Sequence, residues 1–246
     1  MKRSFPWPIV LDVLALLLWG LMILRYWWTG QLAVLLHKDY HWLAIGAGWV
    51  LLILAVWRGL ALVTSRQVMG TPHIALLPRQ WSLAILLGVA VFGLIYVPRP
   101  FASDAALARG IADPVALTRS QPQRFVRNTP PEERRLIEWI RTLNVYPEPD
   151  AYEGDPVNVT GFVIHPPNWD QNYLMVTRFV LTCCAADAYP VGLPVKLAGD
   201  RSEFSLDSWI TVQGEMTTET LDGQRRLVIQ PNQVVVVPEP ANPYEF

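Results

Sequence analysis

Two kinds of segment share this chain, and together they predict a membrane α-helical N-terminal half (about three transmembrane helices) followed by an all-β C-terminal domain, an OB-like five-stranded barrel. Three long apolar runs fall within residues 1–97, whereas from Pro156 onward the hydrophobic period is two. Charge divides the chain in the same place. Residues 1–97 hold seven Lys/Arg against two Asp/Glu, and residues 151–246 hold five against twelve, so the near-neutral net charge of −1 averages a basic half and an acidic one. An acidic domain repels phosphate backbones, which excludes nucleic acid as an expected ligand.

The first apolar run, Pro8 to Leu24, begins a span of about 8–26, close to the roughly 20 residues that cover a hydrocarbon core. A basic start before an apolar run also fits a signal peptide, but no small-x-small cleavage pattern follows Leu24. Instead Arg25-Tyr-Trp-Trp28 forms an interfacial aromatic belt, so the helix is expected to be retained. Asp12 lies inside this run. It is expected either to face a partner helix or polar pathway, or to reach the membrane edge or be partly protonated. The short stretch Gln31 to Leu36 leads to His37-Lys-Asp-Tyr-His41, whose two histidines share a helix face. They could hold a metal or simply be interface residues.

Residues 42–63 form the second expected span, with Gly46 and Gly48 placed for close helix approach, and residues 81–97 form the third, with Gly88 and Gly93. The loop between them carries Arg66, His73 and Arg79. Lys2, Arg3, Arg58, Arg66 and Arg79 would lie on one side and Arg25, Lys38, Arg99 and Arg109 on the other. That excess points the N-terminus inward and the C-terminal domain outward, making a multi-pass cell-membrane protein with an extracytoplasmic β-domain.

Residues 98–128 lack a sustained period and read as a linker with one short helical piece at 104–110. Thr129-Pro-Pro-Glu132 carries a capping-box pattern, and Leu136, Trp139, Ile140 and Leu143 share one face, so an amphipathic helix is expected over 129–145. The β-domain spans 151–246, with strands at about 157–165, 172–183, 191–198, 208–218 and 226–237. Glycines inside the first and fourth strands suit the bends of a small barrel, and Asp222-Gly223 suits a hairpin turn. Pro231 is expected to bulge or break the last strand. The usual helix after the third strand must shrink to Asp200–Leu206.

The only two cysteines are adjacent, Cys183 and Cys184, with Asp187 three positions after the second. In a continuous strand the two sulfurs would point to opposite faces. If the strand ends at Cys183 and the chain turns away, both thiols and Asp187 converge. Thiolates prefer zinc, Cu(I), cadmium or trivalent arsenic, and His165, at the end of the first strand, is a candidate fourth donor by barrel adjacency. Three readings stay open: a metal site at Cys183, Cys184, Asp187 and His165, with zinc or another thiophilic metal as cofactor; a thiol-redox site; or small packing residues.

Gly161-Phe-Val, Arg178-Phe, Cys183-Cys-Ala-Ala-Asp-Ala188, Trp209-Ile-Thr-Val-Gln-Gly214 and the tail from Pro240 to Phe246 resemble the YcgQ-like family of uncharacterised bacterial membrane proteins. The resemblance implies a permease subunit working beside a YraQ/YcgR-type permease, and some relatives of that permease handle arsenicals. No catalytic motif is present, so the expected function is a non-enzymatic accessory subunit whose β-domain binds or gates a metal, metalloid or other small solute through Cys183, Cys184 and Asp187. The alternatives are a structural interaction module with packing cysteines, and a membrane thiol oxidoreductase, which would lack the usual CxxC.

Overall fold

A computed structural model describes residues 7–64, 78–110 and 129–246. The expected loop with Arg66 and His73, and residues 111–128 of the expected linker, lie outside the described residues. The chain divides into two compact units, Met1–Arg99 and Pro100–Phe246.

The first unit is helical. Helix α1 runs Trp7–Trp28, a single turn follows at Leu32–Leu35, and α2 (His41–Val63) and α3 (Arg79–Ile95) complete it. Ile9–Trp28 and Lys38–Val63 are long and apolar enough to cross a membrane, whereas α3 is a shorter apolar helix of 17 residues. Their apolar surfaces are widely exposed, including Trp49, Ile53, Trp57, Phe92 and Ile95, as suits a lipid environment. Polar side chains of α1 tie it to α3: Trp19 Nε1 donates to the Leu86 carbonyl at 3.0 Å, Tyr26 Oη to Gly93 at 2.6 Å, and Arg25 to Leu94. Of the glycines expected at close approaches, Gly48 abuts Leu24 and Gly93 abuts Met22, but Gly46 and Gly88 face open space. Gly20, against Leu52, makes a close approach that glycine spacing alone does not predict.

The second unit is the barrel. Strands β1 (Pro156–Ile164), β2 (Tyr173–Val180), β3 (Tyr189–Lys196), β4 (Trp209–Leu221) and β5 (Gln224–Val237) run in spatial order β1-β4-β5-β3-β2, and pairing of β1 with β2 closes the ring. β3 and β5 run parallel through Val195 and Ile229, and the other ring pairs are antiparallel. This is the OB arrangement. The sequence signals for its bends are realised. At Gly161 an added Cβ would sit 2.5 Å from the Thr177 carbonyl, and at Gly214 it would strike the Gln230 backbone, so both positions need the bare backbone to let strands meet. Opposite Gly214, the register slips between Gln233 and Pro231, leaving Asn232 as the extra residue of a bulge. Asp222 and Gly223 both have positive φ, 51° and 73°, as a two-residue hairpin turn requires.

Three elements differ from expectation. Residues 100–110 are part of the barrel unit instead of a free linker: Phe101 packs 5.2 Å from Phe179, and the amide of Ser103, which opens helix α4 (Ser103–Arg109), donates to Asp207 Oδ1 at 2.6 Å. The next helix, α5 (Leu136–Val145), starts seven residues after Thr129, because the two prolines set a separate 3-10 turn at Pro131–Glu133, and Glu138, not Glu132, reaches back to cap the Arg135 amide at 2.8 Å. Its expected face is buried: Leu136, Trp139, Ile140 and Leu143 join the barrel interior with Val159, Val176 and Ile210. The β3–β4 connection keeps only the turn Arg201–Glu203, so α5 supplies the helical packing that this connection usually brings. Finally, a two-residue strand β6 (Tyr244–Glu245) adds in parallel to β2.

Candidate functional site

The end of β2 is decided by one carboxylate. Phe179, Val180 and Leu181 are buried, and the Leu181 amide is taken by the Glu245 carbonyl of β6 at 3.1 Å. Beyond it the amides of Cys183 and Cys184 turn to a side chain. Asp187 Oδ2 accepts from the Cys183 amide at 2.9 Å and from the Thr182 hydroxyl, and Oδ1 accepts from the Cys184 amide at 3.2 Å. A side chain that satisfies these amides locally competes with the ladder, so β2 stops at Val180 and not at Cys183. The same bonds cap the 3-10 turn Ala185–Asp187, after which β3 begins at Tyr189.

The turn brings both thiols to one side. Cys183 Sγ and Cys184 Sγ are 3.6 Å apart, and one donor atom from each of Cys183, Cys184 and Asp187 lies within 4.8 Å of the others. Both cysteines are free; Cys183 is exposed and Cys184 half-buried, so neither is a core-packing residue. The Asp187 carboxylate and the neighbouring thiol hold the Cys183 proton on, pushing its pKa up to about 11. Burial pushes Asp187 up, but the bonds from Thr182, Cys183 and Cys184 outweigh it and hold the carboxyl below its ordinary range. The Cys183 thiol is therefore protonated at neutral pH and the carboxylate is ionised. That balance disfavours spontaneous thiolate attack, and a cation that binds the Cys183 sulfur must displace its proton.

His165 does not join the group. It follows β1 at the other end of β2, roughly 25 Å away along an eight-residue strand, where its Nε2 lies 2.9 Å from the Phe204 carbonyl. Barrel adjacency places it beside the correct strand but at the wrong end. Thr182 is a residue that the sequence reading misses, although a hydroxyl five residues before an Asp in a turn is a usable signal. The membrane-half candidates are used locally. Asp12 is turned toward neighbouring helices, with Oδ2 2.5 Å from Arg79 Nη2 and 3.6 Å from Arg58 Nη1. His37 Nδ1 accepts from the Asp39 amide at 3.2 Å, and His41 Nε2 lies 3.2 Å from the Leu36 carbonyl.

A separate cavity of about 560 Å³ lies near the β1–β2 loop, between Trp169, Met175, Gly192 and the β4–β5 turn. No sequence motif marks it, because its walls come from scattered positions. Its charged rim is internally paired: Trp169 Nε1 donates to Asp222 at 2.7 Å and Arg225 Nε to Asp150 at 2.7 Å.

Comparison with known proteins finds a DUF1980 C-terminal domain, from an uncharacterised family, over residues 132–246. That span contains α5, the whole barrel, the Cys183–Asp187 turn and the β6 tail. No curated protein matches the chain.

Proposed function

We propose that this chain is a non-enzymatic, multi-pass membrane accessory protein whose barrel presents Cys183, Cys184 and Asp187 to a thiophilic cation on behalf of a permease partner. The observation that carries the reading is the convergence of two thiols and one carboxylate within 4.8 Å on an accessible turn. Zinc is the first cation to consider, since it takes sulfur and carboxylate oxygen together. Burial in the core would have favoured the packing reading, and a depressed thiol pKa would have favoured the oxidoreductase. Cys183 has neither property. The permease partner rests on the resemblance to the YcgQ-like family, and the apolar helices supply the surface on which such a partner would dock.

The test is metal content and zinc titration of the detergent-purified full chain beside Cys183→Ser and Cys184→Ser. The wild type should retain zinc that each single variant loses. Equal zinc content in all three proteins would overturn the site.

A further inference from the structure

We infer that the Cys183–Cys184 pair is an open, hand-over site for a zinc-class cation: the two sulfurs hold it while other coordination positions are left to exchangeable donors from a receiving partner. This rests on the cation-binding reading above and adds how the ion is held and what becomes of it.

With metal–sulfur bonds of about 2.3 Å, two sulfurs 3.6 Å apart subtend an angle of about 103° at a shared ion. That is close to a tetrahedral angle and far from the roughly 180° of a linear two-coordinate ion. The pair thus suits a tetrahedral ion such as zinc, which takes four donors.

The turn does not supply four. Asp187 is already engaged at both oxygens by Thr182, Cys183 and Cys184, and those bonds shape the turn itself. It can add one oxygen at most. His165 is occupied at the far end of β2, and no further His, Cys, Asp or Glu among the described residues joins the group. At least one position must therefore be filled from outside, by water or by a partner's donor. Structural zinc sites are closed by four protein ligands, whereas sites with an open position exchange what occupies it.

The turn also holds its shape through hydrogen bonds alone, and the barrel core is a continuous cluster of apolar side chains elsewhere in the domain. The fold does not depend on the ion, so releasing it does not cost the domain its structure. Loading is an acid–base exchange: a divalent cation binds two sulfurs and the two thiol protons go to solvent. Transfer is ligand substitution, in which nitrogen or sulfur donors of the partner occupy the open position, displace the thiolates and leave them to regain protons. No oxidant or reductant is needed.

The experiment uses the full chain in detergent with Zn²⁺ and Cd²⁺ as probes. Expected are one ion per chain, two protons released per ion, and a cadmium–thiolate ultraviolet band of two-thiolate intensity. The ion should transfer completely to a small chelator within the mixing time, and the metal-free protein should keep its β-sheet circular dichroism and cooperative unfolding. Asp187→Asn should weaken binding about 10- to 100-fold, as loss of an orienting partner does, with the stoichiometry unchanged. One ion per two chains, with paired chains and slow chelator removal, would overturn the hand-over reading in favour of a site closed by a second copy. Unfolding of the barrel on metal removal would overturn it in favour of a structural ion. If the wild type binds no more ion than Cys183→Ser and Cys184→Ser, the cation-binding reading fails as well.

Discussion

Glu245 is only 2% exposed, although it lies one residue from the end of the sequence given. It pairs with Arg178 at 3.0 Å and Arg135 at 3.2 Å, while Arg178 Nη2 also donates to the Asn242 carbonyl at 2.7 Å. This clamp fixes β6 along β2 and so supplies the carbonyl that takes the last amide before the cysteine turn. Burial dominates the charges: it raises the Glu245 carboxyl despite Arg178 and Arg135, with Glu138 pushing the same way, and it lowers the Arg178 guanidinium despite Glu245. A carboxyl raised by folding binds its proton more readily in the folded state than in the unfolded one. Stability from this group is thus greatest in acid and falls as pH rises from the ordinary Glu value, about 4.3, through the raised one. The thermal midpoint of Glu245→Gln, measured from pH 4 to 7, should lack that decline, so that wild type minus variant slopes downward with pH. A flat difference would mean that the ion pairs compensate burial. Glu245→Ala, which leaves Arg178 buried without its carboxylate, should cost about 3–5 kcal/mol.

Among the elements, what the sequence disclosed depended on how local the cause was. Gly161, Gly214, Pro231 and Asp222-Gly223 act through their own backbone chemistry, and each does in the barrel what its residue type suggests. The face of α5 was readable for the same reason, since helical spacing alone defines it. The end of β2 was not, because it depends on Asp187 reaching back to two amides, and β6 was not, because a two-residue strand exists only through Arg178 on a distant segment. The convergence of Cys183, Cys184 and Asp187 was readable as a conditional, true if the strand ended early. The fourth donor was misassigned: His165 follows β1, and the antiparallel β1–β2 pairing sets that end beside the start of β2, opposite the end that leads to Cys183. Barrel closure gives the sharpest test at this scale. Gly161→Ala drives a methyl group to within 2.5 Å of the Thr177 carbonyl, at the seam where β1 meets β2. The strands must part to admit it, costing about 1–3 kcal/mol. Urea unfolding followed by tryptophan fluorescence should show the loss, and an unchanged midpoint would mean that the seam yields without strain.

For the whole molecule, sidedness would connect the apolar helices to the proposed function. Within the helical unit, Asp12 near the start of α1, Arg58 near the end of α2 and Arg79 at the start of α3 meet in one ion cluster. Antiparallel helices of alternating direction produce such a meeting, and it gathers the basic residues Arg58 and Arg79 at the end of the bundle where α1 begins. If the proposed multi-pass arrangement holds, the positive-inside rule would put that end in the cytoplasm. The 17-residue α3 reaches about 26 Å, somewhat short of a typical core of about 30 Å. Were α3 to span, slight thinning or a wet Arg79 end would accommodate the difference, and the carbonyl bonds from Trp19 and Tyr26 hold α3 against α1. If α3 crosses and the N-terminus lies inside as proposed, the barrel domain would follow on the outer side, where an exposed Cys183 could meet a cation before the proposed permease does. In intact cells treated briefly with a chelator, a membrane-impermeant maleimide should therefore label Cys183 while an N-terminal epitope stays protected from added protease. Labelling only after permeabilisation would put the barrel in the cytoplasm and make the thiols a receiver of exported cations, which reverses the direction of hand-over. Asp12→Leu should lower the fraction of correctly oriented chains in the same assay, because Arg58 and Arg79 then lose the carboxylate that joins their helices to α1.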